Sequence, residues 1–237
     1  MLYLIGLGLN EEGFSFEAYN AVKNSRRVYL ESYTVEFPFS KEELEVKLEK
    51  KIKELKREDV ESDRLVKEAK EDNVALLVYG APLMATTHIS LIEECRKRKV
   101  SYRVVQGASI LDAIAETGLS MYKFGKIASL PKFEASSFID IVKTNLDINA
   151  HSLILIDICL SFSEALDLFE KAAKGRKLVL EKMLVCSLLG TKRSKIYYKK
   201  FMEFKKEKKN LKIQAPFCFV IPSESLNMVE KEVLERF

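Results

Sequence analysis

The sequence predicts an α/β fold made of two α/β domains, the first around a mostly parallel sheet and the second around a mixed sheet. Three observations predict it. Short apolar runs, such as residues 2–7 and 74–79, alternate with amphipathic stretches, the pattern of strands covered by helices on both faces. The chain has 237 residues and 47% hydrophobic content, enough to build one large core or two modest ones. The texture changes after Gly118, which places a boundary near residues 121–125 and domains at 1–121 and 122–237.

The elements follow in order. A first strand is expected at 2–7. A helix follows over 16–23, where Phe16, Tyr19 and Val22 recur every third residue, and residues 27–31 are strand-like. Ser40 and Glu43 form a capping box for a helix that begins near Lys41. By period, 41–57 reads as one long charged helix, with a short strand at 52–55 as the alternative. Residues 60–69 are helical, 74–79 a strand, and 85–97 a helix that Thr86 or Thr87 can cap. Another strand at 101–105 leads through Gly107, Ala108, Ser109 and Ile110 into a helix ending at Ala115. Beyond the boundary, strands at 127–130, 151–158, 183–188 and 215–221 accompany helices at 137–145 and 163–173. The last helix has Asn227 as a cap facing Glu230, with Val229, Val233 and Leu234 turned inward.

Composition removes several function classes. Lys plus Arg number 39 against 35 Asp plus Glu, too even a balance to indicate nucleic-acid binding. Charge is uneven locally: between 192 and 209, nine Lys or Arg stand against only Glu203 and Glu207. That run is either a solvated surface or a docking patch for an acidic partner. Cys95, Cys159, Cys186 and Cys218 are widely spaced with no CxxC pair. Cys159, Cys186 and Cys218 lie in apolar runs, as buried free thiols do, which suits a reducing cytoplasm. His88 and His151 are the only histidines, so no histidine-based metal site is expected. Residues 1–9 lack a basic flank and are too short to span a bilayer, so they read as a buried strand and no membrane association is expected.

Three loops at strand ends carry the chemistry: Gly8-Leu9-Asn10, residues 80–84, and residues 107–110. In an open α/β sheet small molecules bind at such carboxyl ends. Gly80 lets a ligand approach the backbone, and Pro82 fixes φ and removes a donor. The loop side chains are mostly small or apolar. They suit a ligand held by shape and backbone groups, with an adenine-like ring against Leu or Ile. They suit a polyphosphate poorly, because no Arg or Lys is present to meet it. Gly6-x-Gly8 lacks the third glycine of a dinucleotide fingerprint, Glu11 standing in its place. There is no P-loop, no GxSxG and no HExxH.

Assembled in order, these pieces resemble the diphthine synthase family, a branch of the tetrapyrrole-methylase-like (class III) S-adenosylmethionine-dependent methyltransferases. The matching segments begin with Leu2-Tyr3-Leu4-Ile5-Gly6-Leu7-Gly8-Leu9, Glu31-Ser32-Tyr33-Thr34 and Arg57-Glu58-Asp59-Val60-Glu61. They continue with Pro82-Leu83, Ala85-Thr86-Thr87-His88, Ala108-Ser109-Ile110, Tyr122-Lys123-Phe124-Gly125-Lys126 and Leu155-Ile156-Asp157-Ile158. The resemblance implies a tetrapyrrole-methylase-like architecture, with S-adenosyl-L-methionine as cofactor in the cleft between the two domains. It implies a cytoplasmic homodimer that methylates the amino group of a modified histidine on translation elongation factor 2, in diphthamide biosynthesis. Nucleic acid is not an expected partner. The implied cofactor contacts fall on Leu9, Ala81, Met84, Ser109, Ile110, Ile156, Leu188 and Pro216.

The chain departs from the family where Gly80-Ala81-Pro82 replaces Gly-Asp-Pro, so Ala81 offers no carboxylate to the cofactor. Either the remaining contacts suffice, or the protein is a weakened homologue serving as a binding module on the translation factor or ribosome. A methylase of the same fold with another substrate is a further alternative. Glu31, Asp157 and His88 are the polar candidates near the matched loops. Each has a structural alternative, and none is assigned as the catalytic base.

Overall fold

A computed structural model describes residues 1–237. The chain divides into two compact units, Met1–Ala113 and Ile114–Phe237. The change of texture at 121–125 lies inside the second unit, because the segment before it is tied down there. The Ser120 amide donates to the Glu230 carboxylate at 3.0 Å, and Gly118 lies against Val233.

The first unit runs β1 (Leu2–Gly6), α1 (Phe16–Lys23), β2 (Arg27–Glu31), α2 (Lys41–Leu48), β3 (Lys53–Leu55) and α3 (Arg57–Val60). It continues with α4 (Arg64–Glu71), β4 (Val74–Val78), α5 (Ile89–Lys97), β5 (Tyr102–Val105) and the short α6 (Ile110–Ala113). The strands order as β3-β2-β4-β1-β5, and every pair is parallel. Alternation assigns the faces. Leu2, Leu4, Val74 and Leu76 pack with Leu65, Val66 and Ala69 of α4 and Leu91, Ile92 and Cys95 of α5. Ile5, Ala75 and Leu77 pack with Ala18, Ala21 and Val22 of α1 and Leu44 and Leu48 of α2. The central strand β4 is buried along its whole length, as its unbroken apolar run requires.

Several local expectations change. The segment 41–57 is a helix and a strand: the Ser40–Glu43 capping box starts α2, and Glu49, at φ 49°, ends it in the left-handed region. The segment 60–69 is broken at Ser62, whose hydroxyl donates to Asp59 O and accepts from the Arg64 amide. The helix expected from Ala85 begins only at Ile89, and neither threonine caps it, since both hydroxyls point elsewhere. In α1 the inward residues are Ala18, Ala21 and Val22, while Phe16 is exposed and stacks on Tyr19.

The second unit opens with 3-10 turns at Ile114–Thr117 and Met121–Lys123. It then runs β6 (Ala128–Leu130), α7 (Ser137–Asp147), β7 (Ser152–Ile156), α8 (Phe162–Gly175), β8 (Lys182–Ser187), β9 (Lys195–Lys200), α9 (Phe201–Glu207), β10 (Phe217–Ile221) and α10 (Met228–Leu234). Its sheet orders as β6-β7-β10-β8-β9; β6 and β7 are parallel and the other pairs antiparallel, so the sheet is mixed. One face is covered by α7, α8 and α9 through Phe138, Phe162, Phe169 and Phe204, with Phe219 of β10 among them. Cys186 and Cys218 face each other across β8 and β10, both buried, and the hydrogen bond with the Cys218 thiol, then burial, push Cys186 well up. Cys159, expected to be buried, is exposed in the turn after β7 at φ 67°. In α10, Leu234 is buried but Val229 is exposed, contrary to its expected inward position, because it sits in the first turn beside the cap.

The basic run at 192–209 folds as edge strand β9 and helix α9. Lys199 pairs with Glu207, Lys205 with Glu170 and Lys208 with Asp167, so part of its charge is matched within the unit. Lysines on an edge strand also oppose unwanted strand pairing. No helix is long and apolar enough to cross a membrane.

Candidate functional site

The three glycine-bearing loops meet at the carboxyl ends of β4, β1 and β5, which are neighbours in the sheet. Gly8 and Gly80 bridge through both amides, Gly80 N–H to Gly8 O at 2.9 Å and Gly8 N–H to Gly80 O at 3.3 Å. Gly6 explains the Gly6-x-Gly8 pattern without a phosphate. A Cβ on Gly6 would sit 2.6 Å from Gly80 O, 2.7 Å from the Gly107 amide nitrogen and 2.9 Å from Pro82 Cδ. The backbones of the three loops therefore touch where the first strand ends. Gly80 adopts φ +70°, and the space a Cβ would take there is bordered by Ala108 O, Ser109 Cα and Leu9 Cδ2 at 3.7–4.0 Å.

Of the expected cofactor contacts, Leu9, Ala81, Met84, Ser109 and Ile110 belong to these loops. Leu9 is buried, and its carbonyl accepts from the Tyr79 hydroxyl at 3.2 Å. Ala81 and Met84 are half-buried and close a turn, Met84 N–H to Ala81 O at 3.1 Å. Ser109 is buried and its polar groups are committed: amide and hydroxyl donate to Asp112 Oδ2 at 2.6 and 2.8 Å, and Oγ accepts from the Leu111 amide. The Ser109 amide, then its hydroxyl, hold the Asp112 carboxyl below the ordinary range. No lysine or arginine stands among loop residues 8–10, 80–84 or 107–110.

The other three, Ile156, Leu188 and Pro216, gather at one end of the second sheet. Ile156 ends β7, Leu188 follows β8, and Pro216 precedes β10; the Leu188 amide donates to Pro216 O at 2.9 Å. The Ala215–Pro216 peptide is cis.

The polar candidates all have structural partners. Glu31 is fully buried and accepts from the Tyr33 and Thr34 amides and the Thr34 hydroxyl at 2.8–3.0 Å, closing the turn after β2. Asp157 accepts from the Lys132 and Ile158 amides. His88 is buried with Nδ1 3.0 Å from Pro82 O, while its Nε2 has no partner. Tyr33 Oη is likewise buried without a partner; burial, then the nearby Glu31 charge, push its phenol up to about 12.

Sequence reasoning missed a second buried cluster. Glu230, the third residue of α10, accepts from the Asn227 amide at 2.8 Å, the Ser120 amide at 3.0 Å, His151 Nε2 at 2.9 Å and Lys123 Nζ at 3.1 Å. The Ser223 amide donates to His151 Nδ1 at 2.8 Å, which fixes a neutral imidazole with its proton on Nε2. The Asn227–Glu230 capping signal was legible; the partners contributed by residues 120, 123 and 151 carry no local signal.

An all-parallel sheet whose β1, β4 and β5 end in touching glycine-bearing loops free of lysine and arginine, followed by a mixed-sheet unit, defines a two-unit α/β protein. The chain belongs to the family described as tetrapyrrole (corrin/porphyrin) methylases, whose model matches residues 1–204. Its relatives include diphthine synthases and diphthine methyl ester synthases. It is 32% identical to the diphthine synthase of Methanocaldococcus jannaschii, over 99% of this chain and 98% of that protein. It is 40% identical to the diphthine methyl ester synthase of Schizosaccharomyces pombe over 184 residues, covering 75% of this chain and 64% of the relative's length. A crystal structure of diphthine synthase superimposes with a TM-score of 0.91 at 30% identity, covering 100% of this chain and 95% of that one. The family and the α/β architecture expected from the sequence are thus both borne out.

Proposed function

We propose that the protein is a methyltransferase of diphthamide biosynthesis that uses S-adenosyl-L-methionine to methylate the modified histidine of translation elongation factor 2. The observation that carries this is the cradle built where β1, β4 and β5 end, in a chain matched along nearly its whole length by a diphthine synthase. The cradle suits the cofactor: Leu9, Met84 and Ile110 offer apolar surface to an adenosine, and loop amides and carbonyls offer polar contacts. Ile156, Leu188 and Pro216 are assigned the remaining contacts. When bound, the cofactor supplies an electrophilic methyl group on a positively charged sulfur.

What the residues do is hold and align. In-line transfer to a nucleophile requires orientation more than acid–base help, because the leaving thioether is a good one. A cradle fixed by backbone approach at Gly6, Gly80 and Gly107 supplies that rigidity. The absence of cationic side chains keeps the cofactor's positive sulfur free of like-charge repulsion. The apolar lining that Leu9, Met84 and Ile110 offer would not oppose dispersal of the bound cofactor's charge. The acceptor amine arrives deprotonated or loses its proton to solvent; Glu31 and Asp157 are engaged elsewhere and are not assigned as bases. We assign the working form as a cytoplasmic homodimer, on the strength of the family resemblance.

Incubation with S-adenosyl-L-methionine and elongation factor 2 carrying the modified histidine is the direct test. Mass spectrometry is expected to show the factor gaining mass in steps of one methyl group. Binding of the factor with no gain would favour the binding-module alternative instead.

Ala81 gives a quantitative prediction. Restoring the family carboxylate with Ala81→Asp is expected to add one charge-assisted contact, tightening cofactor binding about tenfold. Titration calorimetry of the variant beside the unaltered protein reads this directly, and equal affinities would remove Ala81 from the cofactor contacts.

A further inference from the structure

Between β4 and α5, residues 80–88 form no regular element, yet this loop carries two of the assigned cofactor contacts. Its first half is fixed from below, since Pro82 Cδ packs where Gly6 leaves no room for a side chain. Its second half turns sharply at Ala85, which adopts the left-handed φ of 54° that a residue with a Cβ disfavours. Such a turn persists only where surrounding bonds over-determine it.

Those bonds converge on one atom. The Thr86 hydroxyl donates to Pro82 O at 3.0 Å, and His88 Nδ1 lies 3.0 Å from the same oxygen. A carbonyl cannot donate, so Nδ1 carries the imidazole proton and the two donors occupy both lone pairs of Pro82 O. The His88 amide in turn approaches Thr86 Oγ1 at 3.5 Å, linking the two donors. This arrangement leaves Nε2 as a buried acceptor without a donor. An unsatisfied buried acceptor is unfavourable, and an apolar side chain at 88 would avoid it. What an apolar side chain could not supply is the Nδ1 proton.

We propose that His88, acting with Thr86, is a positioning residue that clamps the Pro82 carbonyl and so fixes the loop carrying Ala81 and Met84. Its role in cofactor binding rests on the proposed function; its role in ordering the loop does not. The clamp ties the loop to the N-cap of α5. His88 touches neither cofactor nor acceptor in this assignment.

Paired substitutions separate the two imidazole nitrogens. In His88→Asn the amide nitrogen takes the place of Nδ1 and keeps the donor; in His88→Gln the amide reaches toward Nε2 and loses it. Thr86→Val removes the second donor at nearly constant volume, and Thr86→Ser restores it. Two readouts are taken on the full chain: affinity for S-adenosylhomocysteine by calorimetry, and hydrogen exchange of the amides of residues 83–87 without ligand. His88→Gln is expected to bind about tenfold more weakly and Thr86→Val about threefold more weakly, with faster loop exchange in both. His88→Asn and Thr86→Ser are expected to match the unaltered protein in both readouts.

Loss in His88→Asn with retention in His88→Gln would overturn the proposal, because the working atom would then be Nε2. Unchanged loop exchange in both Thr86→Val and His88→Gln would overturn it too. If the His88 variants fail to fold, the Thr86 pair decides by the same exchange measurement. If the unaltered protein does not bind S-adenosylhomocysteine, the proposed function fails, and the exchange data still decide whether the clamp exists.

Discussion

Gly6→Ala is expected to abolish cofactor binding and to destabilise the first unit by about 3 kcal/mol or more, the upper range for overpacking a tight interior. The physical reason is that the added methyl would meet Gly80 O at 2.6 Å and the Gly107 nitrogen at 2.7 Å. Both are backbone atoms, so no side chain can swing aside. Relief requires the β1, β4 and β5 tips to part, and those tips carry the proposed cofactor contacts. Gly107→Ala should behave alike, since its added methyl would lie 2.7 Å from both Gly6 C and Gly80 O. Gly175→Ala is the control: nothing lies within 4 Å of its added methyl. Urea midpoints and calorimetric titration with S-adenosylhomocysteine measure both effects. A Gly6→Ala protein that bound like the parent would show that the loops do not meet as described.

Glu230→Gln carries the second large effect, in stability and in its dependence on pH. Burial opposes the Glu230 charge, but the bonds donated by Asn227, Ser120, His151 and Lys123 outweigh burial and hold the carboxyl at about 2. Its ordinary value is 4.5, so the ionised form stabilises the folded state by on the order of 3 kcal/mol. That contribution is complete above pH 4.5 and is lost as pH falls toward 2. His151 acts in the same direction. Burial lowers its pKa from 6.5 more strongly than Glu230 raises it, so the neutral form is favoured in the fold. Its contribution is present above pH 6.5 and declines as pH falls below it. Thermal midpoints are therefore expected to drop in two stages on acidification, first below 6.5 and again below 4.5. Glu230→Gln should cost about 3–5 kcal/mol near neutrality, the range for breaking a buried charged network, and should flatten the lower stage. A variant whose midpoint still fell as steeply between pH 4.5 and 3 would assign that stage to other carboxylates.

Much of the fold was legible in the sequence because it is written locally. The uninterrupted apolar run of β4 marked a strand of a mostly parallel sheet, and the Ser40–Glu43 and Asn227–Glu230 boxes marked helix starts that the structure contains. Local rules failed where a distant atom decided the outcome. Thr86 and Thr87 had the composition of helix caps, but Pro82 O and Glu61 claimed their hydroxyls and the helix began later. β9 and α9 were hidden because lysines dominate their exposed positions, while burial of Phe201 and Phe204 anchors α9. Gly6 was visible as a glycine in a fingerprint that did not complete itself. Its purpose follows only from the approach of Gly80 and Gly107, residues remote in sequence. Likewise His88 was noticed as polar near a matched loop, but nothing in the sequence indicates which nitrogen is used.

Loops held together by main-chain contact divide their evolutionary freedom unequally. Glycines at 6 and 107 are closed to exchange, because any methyl there collides with peptide atoms. On the proposed function, position 81, half-buried in its loop, is where one carboxylate would change cofactor affinity by roughly an order of magnitude. Architecture and ligand strength would then be carried by separate residues.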